Sequence, residues 1–404
     1  MVDVIGKDRA FNSMALFLIL VPLFKPAGLG QIPVFNLLFQ LGKAASLVII
    51  LILLLGNLRK YRFNMLELSI AIFWVSYAIG CYQSESGYDT VLNYSMTSLA
   101  LLMLFKIEAS SGQIRDLLNV LWWIFTPLLL LQAASLVIVS QGVILFPSDY
   151  THMYLFGEDN YSAFMVLPMM AMVLYSDSVN DGKGQWKHRI TMLAFLSALI
   201  AYVYVQSVAA SLGFLLMGLC YVGKDKLGTF VHCLTPKRIA IVFLALLMLV
   251  LVFHVQDFIG QIVSSFLDKN IFTLNSRTTI WSQAEGLIAS KPLFGWGDGL
   301  TEAMIWGGHA HNVLLQLLTA CGVVGTCSFF LYVGLAYIDA GKALVCGPGS
   351  ILVGALAAMA VLSFFDFYIG ISALFCLIAF VAVVPSALET ENSVGNPSAC
   401  RIER

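Results

Sequence analysis

The residues best suited to chemistry lie in one stretch, residues 276–325, of a chain that is otherwise strongly apolar. This stretch contains Arg277, Lys291, His309 and His311. Histidine titrates near neutral pH and can accept a proton from an incoming hydroxyl group. Arginine and lysine can hold phosphate oxygens. The four residues together therefore suit the transfer of a group from a diphosphate to an alcohol.

The two histidines allow three interpretations. They precede an apolar run, so Asn312 or Gly308 could cap a helix while the histidines lie at the headgroup level. A metal site is less favoured, because residues two apart do not share a helix face and no third ligand is evident. The third interpretation is a general base or proton shuttle. We expect His311 or His309 to act as the base, and we expect no metal and no cofactor.

The cations around the histidines are interpreted in two ways. Arg277 and Lys291 could be solvated or contact lipid headgroups, or they could clamp a diphosphate and stabilise its developing charge without a metal. Lys43 lies inside an apolar run, where it could snorkel to the surface or join Lys25 in an outward-facing anion site. Asp366, near the end of another apolar run, is a weaker signal of the same kind.

A short acidic segment, Gly157 to Tyr161, is a further candidate. Asp159 or Asn160 could cap a helix, with Glu158 near its positive end. Short acids and amides also suit the binding of sugar hydroxyls, so Glu158 and Asn160 are candidate substrate ligands.

Composition identifies the class of protein. The 404 residues are 59% hydrophobic and only 11% charged, whereas soluble domains carry about 25% charged residues. Repeated apolar runs of about twenty residues can each cross about 30 Å of hydrocarbon as helices. The net charge of −1 argues against a nucleic-acid partner. The eight cysteines form no C-x-x-C pair and are expected to be core residues.

We predict an all-α polytopic membrane protein with about twelve spans. The N-terminal part, residues 1–256, holds nine spans, and a long loop follows at 257–310. Three more spans occupy 311–387, and a cytoplasmic tail occupies 388–404, polar and expected to be disordered from Glu389 onwards. The spans are expected near residues 11–28, 33–56, 65–82, 91–106, 117–140, 160–176, 190–206, 208–222, 239–256, 311–338, 350–366 and 370–387. The break between the seventh and eighth spans is the weakest of these predictions.

The distribution of cations gives the orientation. With both termini in the cytoplasm, nearly all of the 22 lysines and arginines fall in cytoplasmic loops, as the positive-inside rule requires. The exceptions are Lys43, within a span, and Lys25, Lys269, Arg277 and Lys291, outside. The long loop, with the candidate site that it carries, is therefore expected to face away from the cytoplasm.

The long loop has its own predicted structure. Residues 278–290 contain good helix formers with apolar positions at Ile280, Ala284, Leu287 and Ile288, a spacing typical of an amphipathic helix. The helix is expected to end before Pro292, because the residue preceding a proline is pushed out of helical geometry.

Residues 276–325 resemble the signature region of the bacterial O-antigen ligase and polymerase superfamily. The shared features, in order, are Arg277 with Trp281, the Pro-Leu-Phe-Gly-x-Gly turn at 292–297, the His311-Asn312 pair that opens a helix, a Leu-Gln pair, and Gly-x-x-Gly at 322–325. Residues 156–168, with Asn160, also resemble the family's asparagine-bearing helix. The match in sequence covers about fifty residues, and the twelve-span plan extends it.

The resemblance implies a glycosyltransferase of the GT-C kind. Its substrate would be an undecaprenyl-diphosphate-linked oligosaccharide, used at the periplasmic face by metal-independent, inverting transfer. By resemblance His311 activates the acceptor hydroxyl, with His309 as second choice. Arg277 holds the diphosphate, and Trp281 and Asn312 belong to the substrate site. Membrane lipids, a chain-length regulator and a flippase are the expected partners.

One departure from the family pattern bears on the reaction. The family often carries Ser-Arg where this chain has Ser207-Val208. The missing cation favours a polymerase over a ligase that transfers the glycan to lipid A core. It also leaves open which of Lys25, Lys43 and Lys291 assist Arg277. A lipid-linked glycan flippase is the alternative of another class, but it would place ionisable residues within the spans.

Overall fold

The structure, a computed structural model, describes residues 12–138, 153–179, 185–224, 235–251, 273–304, 309–344 and 347–395. Thirteen main helices organise these residues, together with short helical segments such as Leu300–Ala303, and no strand occurs among them. They are α1 Asn12–Phe24, α2 Pro33–Asn57, α3 Met65–Gln83, α4 Asp89–Ser110, α5 Ile114–Ile138, α6 Asp159–Val179, α7 Gln185–Tyr204, α8 Val208–Gly223, α9 Pro236–Leu251, α10 Thr273–Ser290, α11 Val313–Ala340, α12 Gly349–Phe365 and α13 Ser372–Gly395. The predicted all-α class is confirmed.

The helices fit a multi-pass membrane protein. Within the described ranges seven helices are long and apolar enough to cross a membrane, namely α2 to α6, α11 and α13. Three shorter apolar helices, α1, α8 and α12, accompany them. Each of the twelve predicted spans overlaps one helix, but the count of twelve crossings stays a prediction. The domain boundaries drawn from the spans likewise stay a prediction.

The centre of the bundle is formed by α6 and α13. The most apolar window of α6 is 89% buried, whereas that of α2 is only 17% buried. The helix α13 packs against α4, α6 and α11, and α3 packs along α11. The peripheral helix α2 therefore has most of its apolar surface free to face lipid, while α6, α11 and α13 hold the loops at their ends in fixed positions.

Local sequence signals explain where several helices begin. Asn64 caps α3 by accepting from the Leu66 N–H, and Glu67 returns a bond to the Asn64 N–H. This is a capping box, which satisfies two donors that the first turn leaves free. Pro33 opens α2, where its fixed φ and missing N–H are tolerated.

The predicted break between the seventh and eighth spans is confirmed. Helix α7 ends at Tyr204 and α8 begins at Val208. Gln206 has a φ of 60°, a left-handed conformation that a helix cannot continue. The Ser207 N–H donates to the Tyr202 carbonyl at 3.0 Å. The break is therefore a defined turn, placed slightly earlier than the sequence indicated.

The predicted helix in the long loop is also confirmed, and it is longer than expected. Helix α10 begins at Thr273 and ends at Ser290, before Lys291-Pro292. Ile280, Trp281 and Ala284 are buried against the rest of the protein. The helix packs on α11. Part of the predicted loop, residues 257–272 and 305–308, lies outside the described residues.

One expectation for the tail is wrong. The sequence predicts disorder from Glu389 onwards, but α13 continues to Gly395. The extension is helical because no glycine or proline interrupts it and its side chains find partners. Glu391 lies 3.8 Å from Arg115 of α5, and the Thr390 hydroxyl donates to the Ser386 carbonyl at 2.9 Å. Residues 396–404 lie outside the described residues.

Helix α11 is broken in its middle at Gly322, which has a φ of 63°. In a regular helix the Val323 N–H would donate to the Thr319 carbonyl. Here the Thr319 carbonyl accepts from Trp296 at 2.8 Å, and Val323 donates to the Pro292 carbonyl at 2.8 Å. The turn at residues 292–297 thus replaces hydrogen bonds that the break removes, and it fixes the end of α10 to α11.

Candidate active site

The histidine segment, residues 309–312, lies directly before α11, and Asn312 caps that helix. The Asn312 Oδ1 accepts from the N–H groups of Leu314 and Leu315 at 3.0 and 3.3 Å. Its amide nitrogen donates to the Phe364 carbonyl at 3.2 Å. The interpretation of Asn312 as a helix cap is therefore confirmed. The same side chain ties the start of α11 to the end of α12, and its predicted role in binding substrate stays a prediction.

His311 is held in a strained backbone conformation. Its φ is 50°, which costs a residue other than glycine about 1–3 kcal/mol. The preceding residue, Ala310, is held through both of its backbone polar groups. Its carbonyl accepts from the Trp281 indole N–H at 3.0 Å, and its N–H donates to Gln316 Oε1 at 2.7 Å. Trp281 on α10 thus positions the histidine segment, whereas contact between Trp281 and substrate stays a prediction.

Asp366 brings the two histidines together. It follows the last residue of α12 and is buried, with a side chain only 4% exposed. His309 Nε2 hydrogen-bonds to Asp366 Oδ1, and His311 Nδ1 lies 3.4 Å from the same oxygen. The Phe367 N–H also donates to Oδ1 at 3.1 Å, and the Tyr368 hydroxyl donates to Oδ2 at 3.3 Å.

The surroundings of Asp366 favour its charged form. Burial is the largest single influence and would raise the pKa. The hydrogen bond from His309 and the nearby imidazoles of His309 and His311 together outweigh burial, and they hold the pKa of the carboxyl below its ordinary value. Asp366 is therefore a carboxylate at neutral pH, available to support a positive charge on either imidazole.

The two histidines differ in accessibility and in partners. The side chain of His309 is 15% exposed and that of His311 is 29% exposed. Nδ1 of His311 is buried and forms no hydrogen bond among the described residues. His309 is thus the fixed member of the pair, bonded to the carboxylate, and His311 is the member more open to a ligand.

The cluster also has the composition of a metal site. One ligand atom each from His309, His311 and Asp366 lie within 4.8 Å of one another. Two imidazoles and a carboxylate are donors that suit zinc or another transition metal. No third ligand is evident from the sequence alone, and in the structure Asp366 supplies one. If a metal bound here, these three residues would hold it; metal-independent transfer stays a prediction.

Two tyrosines extend the cluster. The Tyr368 ring stacks on His309 with centroids 4.2 Å apart and planes 17° apart. The Tyr161 ring meets Tyr368 edge-on at 4.8 Å. Tyr161 lies on α6, beside Asn160. These aromatic contacts pack against the His309 imidazole and join the cluster to the central helix α6.

The predicted cations of the long loop are placed separately. Arg277 lies in α10, one turn before Trp281, and its side chain is outside the described residues. Lys291 donates to the Gln83 carbonyl at 2.9 Å, and its amine lies 3.9 Å from the centroid of the Trp296 ring. Lys291 therefore contacts the end of α3. Arg277 and Trp281, the tryptophan that holds the histidines, are four residues apart on α10 and so lie on the same side of that helix.

Lys25 and Lys43 form a second group of cations. The Lys25 amine donates to Asn36 Oδ1 at 2.8 Å, and the Lys43 amine donates to the Asn93 carbonyl. The Lys43 amine also lies 5.5 Å from the centroid of the Tyr94 ring. Neither lysine contacts the histidines, so the structure does not bring these predicted site residues into the cluster.

The acidic segment lies at the start of α6. Glu158 precedes the helix, and its carbonyl accepts from the Ser162 N–H at 2.7 Å. Asn160 Oδ1 accepts from the Ser207 hydroxyl at 2.9 Å. Asn160 thus holds the break between α7 and α8, next to Val208, whose side chain is 78% exposed. Sugar binding by Glu158 and Asn160 stays a prediction.

The sequence indicated Asp366 only weakly and missed Tyr368 and Gln316. Asp366 and His309 are 57 positions apart, and periodicity carries no information about such a pair. The only signal was a carboxylate at the end of an apolar run, which is expensive to bury without a partner. Histidine is the partner that the long loop could supply.

Comparison with known proteins agrees with this geometry. Residues 187–330 match a family model described as O-antigen ligase. The match includes α10, the turn at 292–297 and both histidines, and it ends before Asp366. No curated protein and no solved structure matches the chain. The match covers about a third of the chain, and this part is similar to the glycosyltransferase-like enzymes of the O-antigen ligase family.

Proposed function

We propose that the protein is a polysaccharide polymerase. It joins oligosaccharide repeat units that are linked to undecaprenyl diphosphate, at the periplasmic face of the bacterial inner membrane. The growing chain moves from its lipid diphosphate to a hydroxyl group of the next unit. A chain-length regulator and a flippase are the proteins expected to work with it.

The observation that carries this proposal is the arrangement of two histidines around one buried carboxylate. His311 is the more exposed imidazole, and it accepts the proton of the acceptor hydroxyl. Asp366 supports the imidazolium that forms, because a nearby carboxylate stabilises the charged ring. His309 and Tyr368 fix the carboxylate, since their hydrogen bonds occupy its two oxygens.

The leaving group is a diphosphate, whose developing negative charge needs a cation. Arg277 is our choice for this role, because a guanidinium offers a planar fork of donors to phosphate oxygens. It lies one turn before Trp281, which donates to the histidine segment. Attack from the face opposite to the diphosphate inverts the anomeric carbon. No metal is required for this step in the proposal.

A ligase is the second candidate, and the description of the matching family favours it. A ligase would move the finished chain to lipid A core rather than to the next repeat unit. The absence of a cation at Val208 favours the polymerase, since the family often carries arginine there. The two activities share the histidine chemistry and differ in the acceptor.

The test of the chemistry is the His311→Ala variant expressed in a strain that lacks the chromosomal gene. A general base contributes about 10²–10⁴-fold to rate, so long glycan should be lost while the protein remains at normal levels in the membrane. His188→Ala is the matched control, because His188 is paired with Asp177 on α6 and α7. Normal long-chain glycan from the His311→Ala strain would refute the assignment.

The deletion strain itself separates the two activities. Loss of every band beyond a single repeat unit identifies a polymerase. A complete ladder that remains on undecaprenyl lipid, and is missing from lipid A core, identifies a ligase. Unchanged glycan on lipid A core would exclude both.

A further inference from the structure

Lys25 and Lys43 are two cations without an anionic partner. Neither forms an ion pair with a carboxylate among the described residues. Lys25 donates to Asn36 of α2, and Lys43 lies seven residues after Asn36, on the same face of that helix. Their hydrogen-bond partners, Asn36 and the Asn93 carbonyl, are neutral. Two cations placed together without compensation are unfavourable, unless an anion binds between them.

The position of the pair fits an anion that arrives from the membrane. Lys25 lies in the loop between α1 and α2, and Lys43 lies in the first half of α2. Burial lowers the pKa of Lys25. The helix α2 exposes Leu37, Leu38 and Leu41, each about 60% exposed. An anionic group attached to a lipid tail could therefore reach the two lysines along this face.

The pair is on the same side of the protein as the histidines. The loop that carries Lys25 is joined to the segment before α6, because the Gly28 N–H donates to the Leu155 carbonyl at 2.9 Å. Asn160 and Tyr161 follow that segment directly at the start of α6. The lysines and the histidine cluster thus border one region of the protein.

Tyrosine rings connect the lysines to the histidines. The Lys43 amine lies over the Tyr94 ring. The same ring packs against Gly370, since a Cβ added to Gly370 would lie 2.6 Å from an atom of the Tyr94 ring. Gly370 lies two residues after Tyr368, so Tyr94 is next to the segment that carries the Tyr368 ring. Tyr368 in turn contacts Tyr161 and His309. Each tyrosine presents an apolar ring together with a hydroxyl, a combination that suits the binding of sugar residues.

The separation of the two lysines from the histidines decides whether the donor diphosphate or the acceptor diphosphate could bind at the lysines. In the donor, the diphosphate is attached to the reacting carbon, and reacting atoms must approach to about 3–3.5 Å. The donor diphosphate must therefore lie next to the histidines. In the acceptor, the attacking hydroxyl lies at the opposite end of a repeat unit from the diphosphate. Only the acceptor can reach the histidines while its diphosphate is beyond the tyrosines.

We propose that Lys25 and Lys43 bind the diphosphate of the acceptor, with the acceptor oligosaccharide lying along Tyr94, Tyr161 and Tyr368 towards His311. This inference rests on the proposed polymerase function and adds a second diphosphate site to it. The acceptor's hydroxyl oxygen forms a bond to the donor's anomeric carbon, and the bond from that carbon to the donor diphosphate breaks. The hydroxyl proton passes to His311, the donor's lipid diphosphate leaves as an anion, and the acceptor's own diphosphate stays intact.

Competition between two acceptors tests the site. Lipid-linked single repeat units from the deletion strain serve as donor and acceptor for the purified protein in nanodiscs. The same oligosaccharide, freed from its diphosphate by mild acid, is added as a competing acceptor. The measured quantity is the ratio of products with a free reducing end to products that retain the lipid. This ratio does not depend on the amount of active protein or on the donor site.

We expect the wild-type protein to prefer the lipid-linked acceptor, and the Lys25→Gln/Lys43→Gln variant to lose that preference, with the ratio rising at least tenfold. Lys224→Gln is the matched control. Lys224 also donates to a neutral oxygen and lies 5.2 Å from a tyrosine ring centroid, that of Tyr221, and its loss should leave the ratio unchanged.

Two other outcomes would overturn the inference. An unchanged ratio with a lower total rate would mean that the lysines bind the donor diphosphate or are needed for folding. An unchanged ratio with a rate that depends on phosphatidylglycerol in the nanodisc would assign them to a phospholipid headgroup. The proposed function fails in a different way, since the wild-type protein would then make no product longer than one repeat unit.

Discussion

At the scale of single residues, the candidate site depends on one carboxylate that serves two imidazoles. Asp366 is bonded to His309, lies 3.4 Å from Nδ1 of His311, and accepts from Tyr368 on its other oxygen. A buried carboxylate of this kind orients a base and stabilises its protonated form. In the proposed mechanism Asp366 positions the two histidines and stabilises their charged forms, while His311 is the residue that contacts the substrate.

The Asp366→Asn variant tests this role. The amide keeps the shape but cannot stabilise an imidazolium, so the initial rate of chain extension should fall by about 10²-fold or more. Asp339→Asn is the control, because Asp339 lies in the last turn of α11, far along the helix from His311. A variant with wild-type rate across the pH profile would remove Asp366 from the mechanism.

The same carboxylate predicts how stability depends on pH. The folded protein holds the pKa of Asp366 below its ordinary value, through the histidines and against burial. A depressed carboxyl pKa adds stability above the unfolded pKa of about 3.9, and this contribution is lost as the pH falls further. The difference in unfolding midpoint between the wild type and Asp366→Asn should therefore keep its value from pH 7 to about pH 5 and shrink as the pH falls below about 4. A constant difference would mean that the charge of Asp366 is not the cause.

At the scale of helices, the turn at 292–297 and the break in α11 form one unit. A Cβ at Gly322 would lie 2.2 Å from the Leu293 carbonyl carbon, and a Cβ at Gly295 would lie 2.6 Å from the Ala320 carbonyl carbon. The backbones of the turn and the helix are therefore in direct contact. This unit sets where α10 ends, and so where Trp281 meets the histidine segment.

The Gly322→Ala variant should separate the turn from α11. The substitution combines a left-handed φ with a backbone clash, so it should cost at least about 1–3 kcal/mol and lower the unfolding midpoint by several degrees in detergent. Gly334→Ala in the same helix is the control. Its Cβ meets nothing within 4 Å, and it should be neutral or stabilise by up to about 1 kcal/mol. Equal midpoints for the two variants would contradict the role of the turn.

The helices were predictable from the sequence to a larger extent than the contacts between them. Pro292 marked the end of α10, and apolar runs marked the spans, because each signal acts within a few residues. The docking of the turn at Gly322 was not predictable. It depends on backbone groups of two distant segments that exchange hydrogen bonds, and only the glycines themselves hinted at close approach. The tail was misjudged because polar composition does not exclude a helix with local partners.

At the scale of the whole molecule, the candidate site is assembled from ends of elements that are far apart in the chain. The histidines come from the start of α11, Asp366 and Tyr368 from the segment after α12, Trp281 from α10, and Tyr161 from α6. The sequence placed His309 and His311 outside the membrane by counting charges, but it could not bring Asp366 to them. Three-dimensional packing of α6, α11, α12 and α13 makes that connection.

The proposed reaction requires this end of the bundle to face away from the cytoplasm, and cysteine labelling tests that orientation. Ser290, exposed at the end of α10, and Arg59, exposed just beyond α2, should lie on opposite sides because nearly all other cations accompany Arg59. In cells with a permeable outer membrane, an impermeant maleimide should label Ser290→Cys directly. It should label Arg59→Cys only after the inner membrane is opened. The wild-type chain gives the background from native cysteines such as Cys327, which is exposed on α11. The reverse labelling pattern would place the histidines on the cytoplasmic side. An acceptor at the periplasmic face could not reach them there, so the proposed function would be refuted.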